Sequence, residues 1–149
     1  MGLSLMILST TSPWSPSPGL LLRRFHLSLK NYWIVSSDYP QYCWAMGGYL
    51  AELTTMEEDI SLGNYLIQGV FYWIGLSDNV NEGTWKWTES HQTTNYTNWW
   101  PGQPNGDERS NCVFKSVNPE YLGWADYACS RDQGSSGQIH ALCEIQLSK

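Results

Sequence analysis

The chain has 149 residues, a length at which one domain with a buried core is expected. Nine tryptophans, nine tyrosines and three phenylalanines supply aromatic surface for that core. The formal net charge of −6 at pH 7 argues against a nucleic-acid partner, because phosphate binding requires clustered lysine and arginine.

Residues 1–30 fit a folded domain least well. Their first apolar run ends at Leu8, has no lysine or arginine before it, and leads into a stretch of serine, threonine and proline. A secretory signal has a basic start and a longer apolar run, and a membrane span needs about 20 apolar residues. We therefore predict no membrane span, and interpret residues 1–30 as a flexible extension, a poorly formed signal region or part of an incomplete gene sequence. The folded domain is predicted at residues 31–149.

The predicted domain begins with a short strand and a short helix. Residues 32–35 are aromatic and β-branched, which favours a strand. Pro40 suits the first turn of a helix that runs to Met46, and the glycines at positions 47 and 48 end it.

A second helix begins at a capping pattern, in which Thr55 is followed three residues later by Glu58. Leu62, Tyr65 and Leu66 repeat at helical spacing, which predicts a stripe that faces the core. The glycine at position 69 is placed to end this helix in a left-handed conformation.

Two strands and a long loop follow. Residues 70–74 are predicted as a buried strand, and residues 84–88 alternate as a half-buried strand does. Residues 89–111 are rich in Asn, Thr, Gly and Pro, and a loop of this length in a compact domain is usually functional or disordered. This loop contains Asn95-Tyr96-Thr97, the acceptor pattern for N-glycosylation.

The four cysteines, at positions 43, 112, 129 and 143, fit two disulfides in an oxidising compartment. Sequence alone leaves open the three connectivities that four cysteines allow. A zinc site is the competing interpretation, but the chain has no Cys-x-x-Cys pair and no nearby pair of histidines. We therefore predict a secreted, disulfide-bonded protein.

The end of the long loop carries oxygens that suit a metal ion. Gln103 and Asn105 flank Pro104, and Asp126 follows further along the chain. Amide carbonyls and carboxylates are the hard oxygen ligands that calcium prefers. A proline between two amides is a natural place for a cis peptide bond, which would turn both side chains to the same side of the backbone. These residues therefore indicate a calcium site.

Six features occur in an order that resembles the C-type lectin domain. They are GGYLA at 47–51, WIGL at 73–76, WKW at 85–87, QPN at 103–105, WAD at 124–126 and the four cysteines. The resemblance covers residues 32–149, and it is to secreted invertebrate lectins of the perlucin or mannose-receptor-domain type. It implies an α+β fold, in which two helices flank two small antiparallel sheets beside a long ligand-binding loop. It also implies the disulfides Cys43–Cys143 and Cys112–Cys129.

In that family the long loop binds one calcium ion, and two adjacent sugar hydroxyls complete the calcium shell. The resemblance implies that Gln103, Asn105 and Asp126 contact both the calcium and the carbohydrate. Ala125 stands where the family has an asparagine ligand, and Ser110 stands where it has a glutamate.

Glu108, two residues before Ser110, is the predicted substitute ligand, and Asp107 is a further candidate. Because few carboxylates are present, we expect weak calcium binding, with a dissociation constant of about 10⁻³ M. The amides on both sides of Pro104 can each donate and accept hydrogen bonds. The choice between mannose-type and galactose-type sugars therefore stays open.

The resemblance implies a secreted, calcium-dependent lectin that binds glycans in innate recognition. The alternative is a lectin-like domain without sugar binding, which acts as a protein- or mineral-interaction module. We predict that the protein is not an enzyme, because His26, His91 and His140 are scattered and no nucleophile pattern accompanies them. The state of assembly stays open, and a homo-oligomer is among the alternatives.

Overall fold

The computed structural model describes residues 3–10, 20–27, 39–129 and 139–146. A short 3-10 helix lies at Pro119–Tyr121, and the predicted first helix is confirmed at Tyr39–Ala45. The predicted strand at 32–35 lies outside the described residues. The helices and strands are, in chain order, β1 (Leu3–Thr10), β2 (Leu20–Leu27), α1 (Tyr39–Ala45), β3 (Gly48–Leu50), α2 (Met56–Gly63), β4 (Phe71–Ser77), β5 (Lys86–Trp87), β6 (Cys112–Ser116), β7 (Gly123–Tyr127) and β8 (Ile139–Gln146).

The strands form one mixed sheet in the order β1-β2-β8-β4-β6-β7, with β3 beside β8 and β5 beside β4. The pairs in this sheet are antiparallel except β4 with β8, where Phe71 lies opposite Ile139. This parallel pair joins the two antiparallel groups that the sequence predicts as separate sheets. The α+β architecture with a helix pair is confirmed.

The first thirty residues contribute two strands to this sheet. β1 and β2 pair with each other in antiparallel fashion, and β2 pairs with β8 in the same way. The sequence predicts a flexible extension here, whereas the structure places Leu3–Thr10 and Leu20–Leu27 in the sheet. The physical reason is that antiparallel pairing satisfies the backbone N–H and C=O groups of both segments. The domain boundary at residue 31 stays a prediction.

α2 begins at the predicted capping pattern. The backbone N–H of Glu58 donates a hydrogen bond of 3.2 Å to Oγ1 of Thr55. The Glu58 carboxylate accepts a hydrogen bond of 3.0 Å from the backbone N–H of Thr54, one residue before the cap. The Thr55 side chain therefore satisfies an N–H group that the first helical turn leaves without a partner, and the Glu58 side chain holds the backbone just before the cap.

The helix ends earlier than the sequence predicts. It stops at Gly63, so Tyr65 lies beyond it and is 55% exposed, in contrast to the predicted core position. Leu62 and Leu66 are buried as predicted. Gly69 has the left-handed backbone expected of it, with φ of 82°, but it lies in the loop after the helix.

Two disulfides cross-link the described elements. Cys43 of α1 bonds to Cys143 of β8, and Cys112 of β6 bonds to Cys129, just after β7. This is the pairing that the family resemblance implied, and it is confirmed. The second disulfide closes the β6–β7 hairpin and so holds the strand that carries Asp126 against its neighbour.

Candidate functional site

Asp126 on β7 holds the long loop in place. Its side chain is buried, and Oδ1 accepts a hydrogen bond of 2.9 Å from the backbone N–H of Asn105. Its other oxygen, Oδ2, accepts a hydrogen bond of 2.8 Å from the backbone N–H of Gly106. Hydrogen bonds from N–H groups to a carboxylate are among the strong ones in proteins. The fold therefore brings together two predicted site residues, Asn105 and Asp126, that are 21 residues apart in the chain.

The loop approaches Asp126 most closely at Gly106. A Cβ atom at this position would collide with Cβ of Ser110 and with Oδ2 of Asp126. A larger residue would therefore displace the loop from the carboxylate. Sequence reasoning missed Gly106, because the close approach depends on a strand that lies elsewhere in the chain.

Gln103 supplies the second amide of the predicted site. The peptide bond between Gln103 and Pro104 is cis, as the sequence suggested. The Oε1 atom of Gln103 is buried and has no hydrogen-bond partner among the described residues. Leaving a buried acceptor without a partner costs about 1–3 kcal/mol. A ligand that contacts this oxygen would recover that free energy.

Two further buried oxygens lack a partner within the described ranges, Oδ1 of Asp78 and Oδ1 of Asn111. Their backbones are neighbours, because Oγ of Ser77 donates a hydrogen bond of 2.6 Å to the carbonyl oxygen of Asn111. The other carboxylate oxygen of Asp78 accepts a hydrogen bond of 2.9 Å from the backbone N–H of Gly83. Sequence reasoning missed Asp78 and Asn111. Two acidic residues, Asp78 and Glu82, follow the buried strand directly, and they were the signal that could have drawn attention to this surface.

Negative charge is concentrated around Glu82. Desolvation raises the pKa of Glu82, and nearby carboxylates raise it further by repulsion. Those carboxylates belong to Asp78, Glu108, Asp107 and Asp126. The predicted ligand Glu108 and the predicted ligand Asp126 therefore act on the same surface, where a cation would relieve the repulsion.

Asp107 is held by a close neighbour in the chain. Its carboxylate accepts hydrogen bonds from Nε of Arg109 at 3.1 Å and from Nη2 of Arg109 at 2.6 Å. These hydrogen bonds lower the pKa of Asp107 to about 2. Because the guanidinium balances the charge of Asp107, Glu108 is the stronger candidate of the two for a metal ligand.

The two departures from the family pattern have structural consequences. Ala125 is 1% exposed and packs in an apolar cluster with Trp73 and Phe114, so position 125 offers no side-chain oxygen. Ser110 is half-buried and carries a hydroxyl in place of a carboxylate. The loop therefore has fewer charged ligands than the family pattern provides.

Trp99 and Trp100 anchor the middle of this loop. The Trp100 ring lies 5.5 Å from that of Phe114, and the Trp99 ring lies 5.0 Å from that of Trp85 and 6.0 Å from that of Trp124. Both tryptophans therefore pack against the core. These ring contacts hold the backbone that precedes Gln103 against the core.

The donors at this loop fit calcium in kind. Amide and carboxylate oxygens are its preferred ligands, and Gln103 Oε1 is a buried oxygen in need of a partner. In the described part of the chain, no three His, Cys, Asp or Glu side chains lie close enough together to hold a metal ion. A carboxylate cage is therefore not assembled in this conformation, and amide oxygens would have to supply part of the ligand shell.

The pair of helices, the mixed sheet, the two disulfides and the long loop define a C-type lectin-like domain. Residues 35–135 match the family model for the lectin C-type domain. The chain is 33% identical to "Perlucin" from Haliotis laevigata over 131 residues, which are 80% of this chain and 79% of that protein. It is 35% identical to a "Perlucin-like protein" from Mytilus galloprovincialis over 102 residues, 64% of each protein. The chain belongs to the C-type lectin domain family.

Solved structures give the same fold. The carbohydrate-recognition domain of the mouse scavenger receptor C-type lectin superposes with a TM-score of 0.70 at 22% identity, covering 85% of this chain and 91% of that one. A calcium-independent type II antifreeze protein superposes with a TM-score of 0.68 at 21% identity, covering 94% of this chain and 96% of that one. Among the relatives with recognisable sequence similarity, one from Cerberus rynchops is named "C-type lectin" and is 35% identical over 100 residues, 62% of this chain and 63% of that protein. No helix among the described residues is long and apolar enough to span a membrane.

Proposed function

We propose that this protein is a secreted lectin that binds adjacent sugar hydroxyls through one calcium ion at the Gln-Pro-Asn loop. Gln103, Asn105, Glu108 and Asp126 would hold the ion. When bound, calcium supplies a positive charge and open coordination positions for two hydroxyl oxygens. The amides of Gln103 and Asn105 would hydrogen-bond to the same hydroxyls, because each amide can donate and accept.

The observation that carries this proposal is the buried Oε1 of Gln103, which lacks a partner among the described residues. Gln103 lies two positions before Asn105. The backbone N–H of Asn105 donates a hydrogen bond of 2.9 Å to Oδ1 of Asp126. A calcium ion bound at this loop would give Oε1 of Gln103 a partner, close to the backbone that Asp126 fixes. The negative potential that acts on Glu82 favours a cation at the same surface.

The affinity for calcium is expected to be weak. Ala125 brings no side-chain oxygen, and both oxygens of Asp126 already accept hydrogen bonds from backbone N–H groups. Fewer charged ligands lower calcium affinity, so a dissociation constant of about 10⁻³ M is the expected range. Secretion would place the protein in the extracellular range of calcium concentration.

The test is glycan-array binding with calcium and with excess EDTA, made on the unmodified protein and on Gln103→Met. Methionine keeps the approximate length of the side chain and removes Oε1. Because Oε1 has no partner among the described residues, Gln103→Met should not lower stability in EDTA. It should abolish glycan binding and the rise in melting temperature with calcium. Gln92→Met is the matched control, since Gln92 is an exposed glutamine outside the site.

Glycan binding that persists in EDTA and in Gln103→Met would contradict the calcium mechanism. Absence of glycan binding at millimolar calcium would favour the second candidate, a protein- or mineral-interaction module. The buried Ala125, which has no side-chain oxygen, is the observation that favours this second candidate. The similarity of the fold to a protein described as a calcium-independent antifreeze protein agrees with it.

A further inference from the structure

A second concave site lies beside α2. It is a cavity of about 440 Å³ between α2, the start of the long loop and the β6–β7 connection. This volume falls within the range of ligand pockets, about 300–1,000 Å³. Its lining combines amide side chains, including Asn64 and Gln68, with apolar side chains, including Ile60 and Leu122.

The Lys115 side chain lies at the wall of this cavity. Lys115 is 3% exposed, and its ammonium contacts Oδ1 of Asp59, which is fully buried. An ammonium has three N–H donors, and within the described part of the chain the contact with Asp59 occupies one of them. The remaining donors of Lys115 are therefore available to a ligand that carries an acceptor oxygen.

Asp59, in contrast, is saturated with donors. Besides Lys115, its carboxylate accepts hydrogen bonds from the hydroxyl of Tyr96 at 2.8 Å, from Nδ2 of Asn98 at 2.7 Å and from Nε1 of Trp124 at 3.2 Å. Asp59 thus holds Lys115 in place and balances its charge, while its own oxygens are occupied. The ligand is expected to contact Lys115 rather than Asp59.

Gly63 leaves the Lys115 end of the cavity open. A Cβ atom built at Gly63 would lie 3.8 Å from Nζ of Lys115 and 3.5 Å from Cγ1 of Val117. Gly63 is in α2 with a helical backbone, which other residues adopt without strain. A larger side chain at this position would therefore extend over Lys115 and fill the cavity without distorting the helix.

The charge of the wall limits the class of ligand. Lys115 and Asp59 form an ion pair without net charge, so neither an anion nor a cation would find an unpaired opposite charge at this wall. A purely apolar ligand would leave the Lys115 N–H groups and the amide side chains without partners, which is costly.

We propose that the α2 cavity is a second ligand site, which binds a small uncharged polyhydroxy ligand without calcium. Hydroxyl oxygens would accept from Lys115 and exchange hydrogen bonds with Asn64 and Gln68. The C–H faces of the ligand would lie against Ile60 and Leu122, which are 56% and 60% exposed. The cavity volume suits one or two sugar rings. This proposal does not rest on the calcium site.

The test is saturation-transfer NMR with D-glucose as the uncharged probe and D-glucuronate as the anionic probe of the same ring size, both in excess EDTA. We expect saturation transfer to glucose and none to glucuronate. Gly63→Leu should reduce transfer to glucose to background. Glu57→Leu is the matched control, because it adds the same side chain to α2 at an exposed position outside the cavity.

Near-UV circular dichroism tests whether Gly63→Leu keeps the native fold. If Gly63→Leu does not keep it, Gln68→Ala is the deciding variant. Gln68→Ala should weaken saturation transfer to glucose, because one amide of the cavity wall is lost. Gln103→Met should leave transfer to glucose unchanged, which separates this site from the calcium loop. No transfer to glucose in the unmodified protein, transfer that survives Gly63→Leu in the native fold, or equal transfer to glucuronate would overturn the proposal.

Discussion

The indole Nε1 of Trp124 donates a hydrogen bond of 3.2 Å to Oδ1 of Asp59, and both side chains are fully buried. Trp124 lies on β7, two residues before Asp126, whereas Asp59 lies on α2. Tyr96 and Asn98 at the start of the long loop donate to the same carboxylate. One buried aspartate therefore connects the helix, the loop and the strand that carries the proposed calcium ligand Asp126.

Lys115→Met should destabilise the protein strongly. It leaves the Asp59 charge buried without its cation, and breaking a buried ion pair by removing one partner costs about 3–5 kcal/mol. Urea unfolding measures this loss. Lys86→Met, at an exposed position, is the control and should change stability by less than about 0.5 kcal/mol.

The double variant Asp59→Asn with Lys115→Met should recover part of the loss of stability seen in Lys115→Met, because it removes both charges. Equal stability of Lys115→Met and Lys86→Met would contradict this account.

Gly106→Ala should disrupt the long loop that carries the proposed calcium site. The added Cβ collides with Asp126 and Ser110, so the backbone N–H groups of Asn105 and Gly106 must move away from the carboxylate. We expect a lower melting temperature in EDTA and a loss of the further rise in melting temperature with calcium. Arg109→Ala, an exposed change in the same loop, should keep the calcium response. An unchanged melting temperature in Gly106→Ala would mean that the loop adapts without losing Asp126.

The Asp107 carboxylate should titrate at an unusually low pH. Its pKa is lowered from 3.8 to about 2, chiefly by the side-chain hydrogen bonds from Arg109. A lowered pKa stabilises the folded state above pH 3.8, and this contribution disappears as the pH falls toward about 2. Carbon-13 NMR of the side-chain carboxyl measures the titration. Arg109→Ala should return the pKa of Asp107 toward 3.8, and no change on this substitution would disprove the assigned cause.

The two disulfides should differ in their contribution to stability. Cys43 and Cys143 are 100 residues apart, whereas Cys112 and Cys129 are 17 residues apart. In the chain-entropy model, loops of these sizes restrain the unfolded chain by about 4.7 and about 3 kcal/mol. Replacing the first pair by alanine should therefore lower the free energy of unfolding more than replacing the second pair. The reverse order in urea unfolding would show that native contacts of the β6–β7 hairpin outweigh the entropy of the loops.

Much of the local structure could be predicted from the sequence. The cap at Thr55, the helix at Tyr39–Ala45 and the cis bond after Gln103 depend on residues that are neighbours in the chain. The family resemblance supplied the disulfide pairing, which spacing alone left open. The stripe with Tyr65 was wrong because α2 stops at Gly63, before the helical spacing applies to position 65.

The sequence by itself determined the class of fold, the residue types at the loop and the missing oxygen at Ala125, since these follow from residue identity and order. Only the tertiary structure decided that Asp126 is engaged by backbone N–H groups, that Gln103 Oε1 is buried and that Lys115 borders a cavity. The physical reason is that hydrogen bonding and burial depend on backbones far apart in the chain. Asp59 and Trp124, for example, are 65 residues apart and meet only when α2 packs against the sheet.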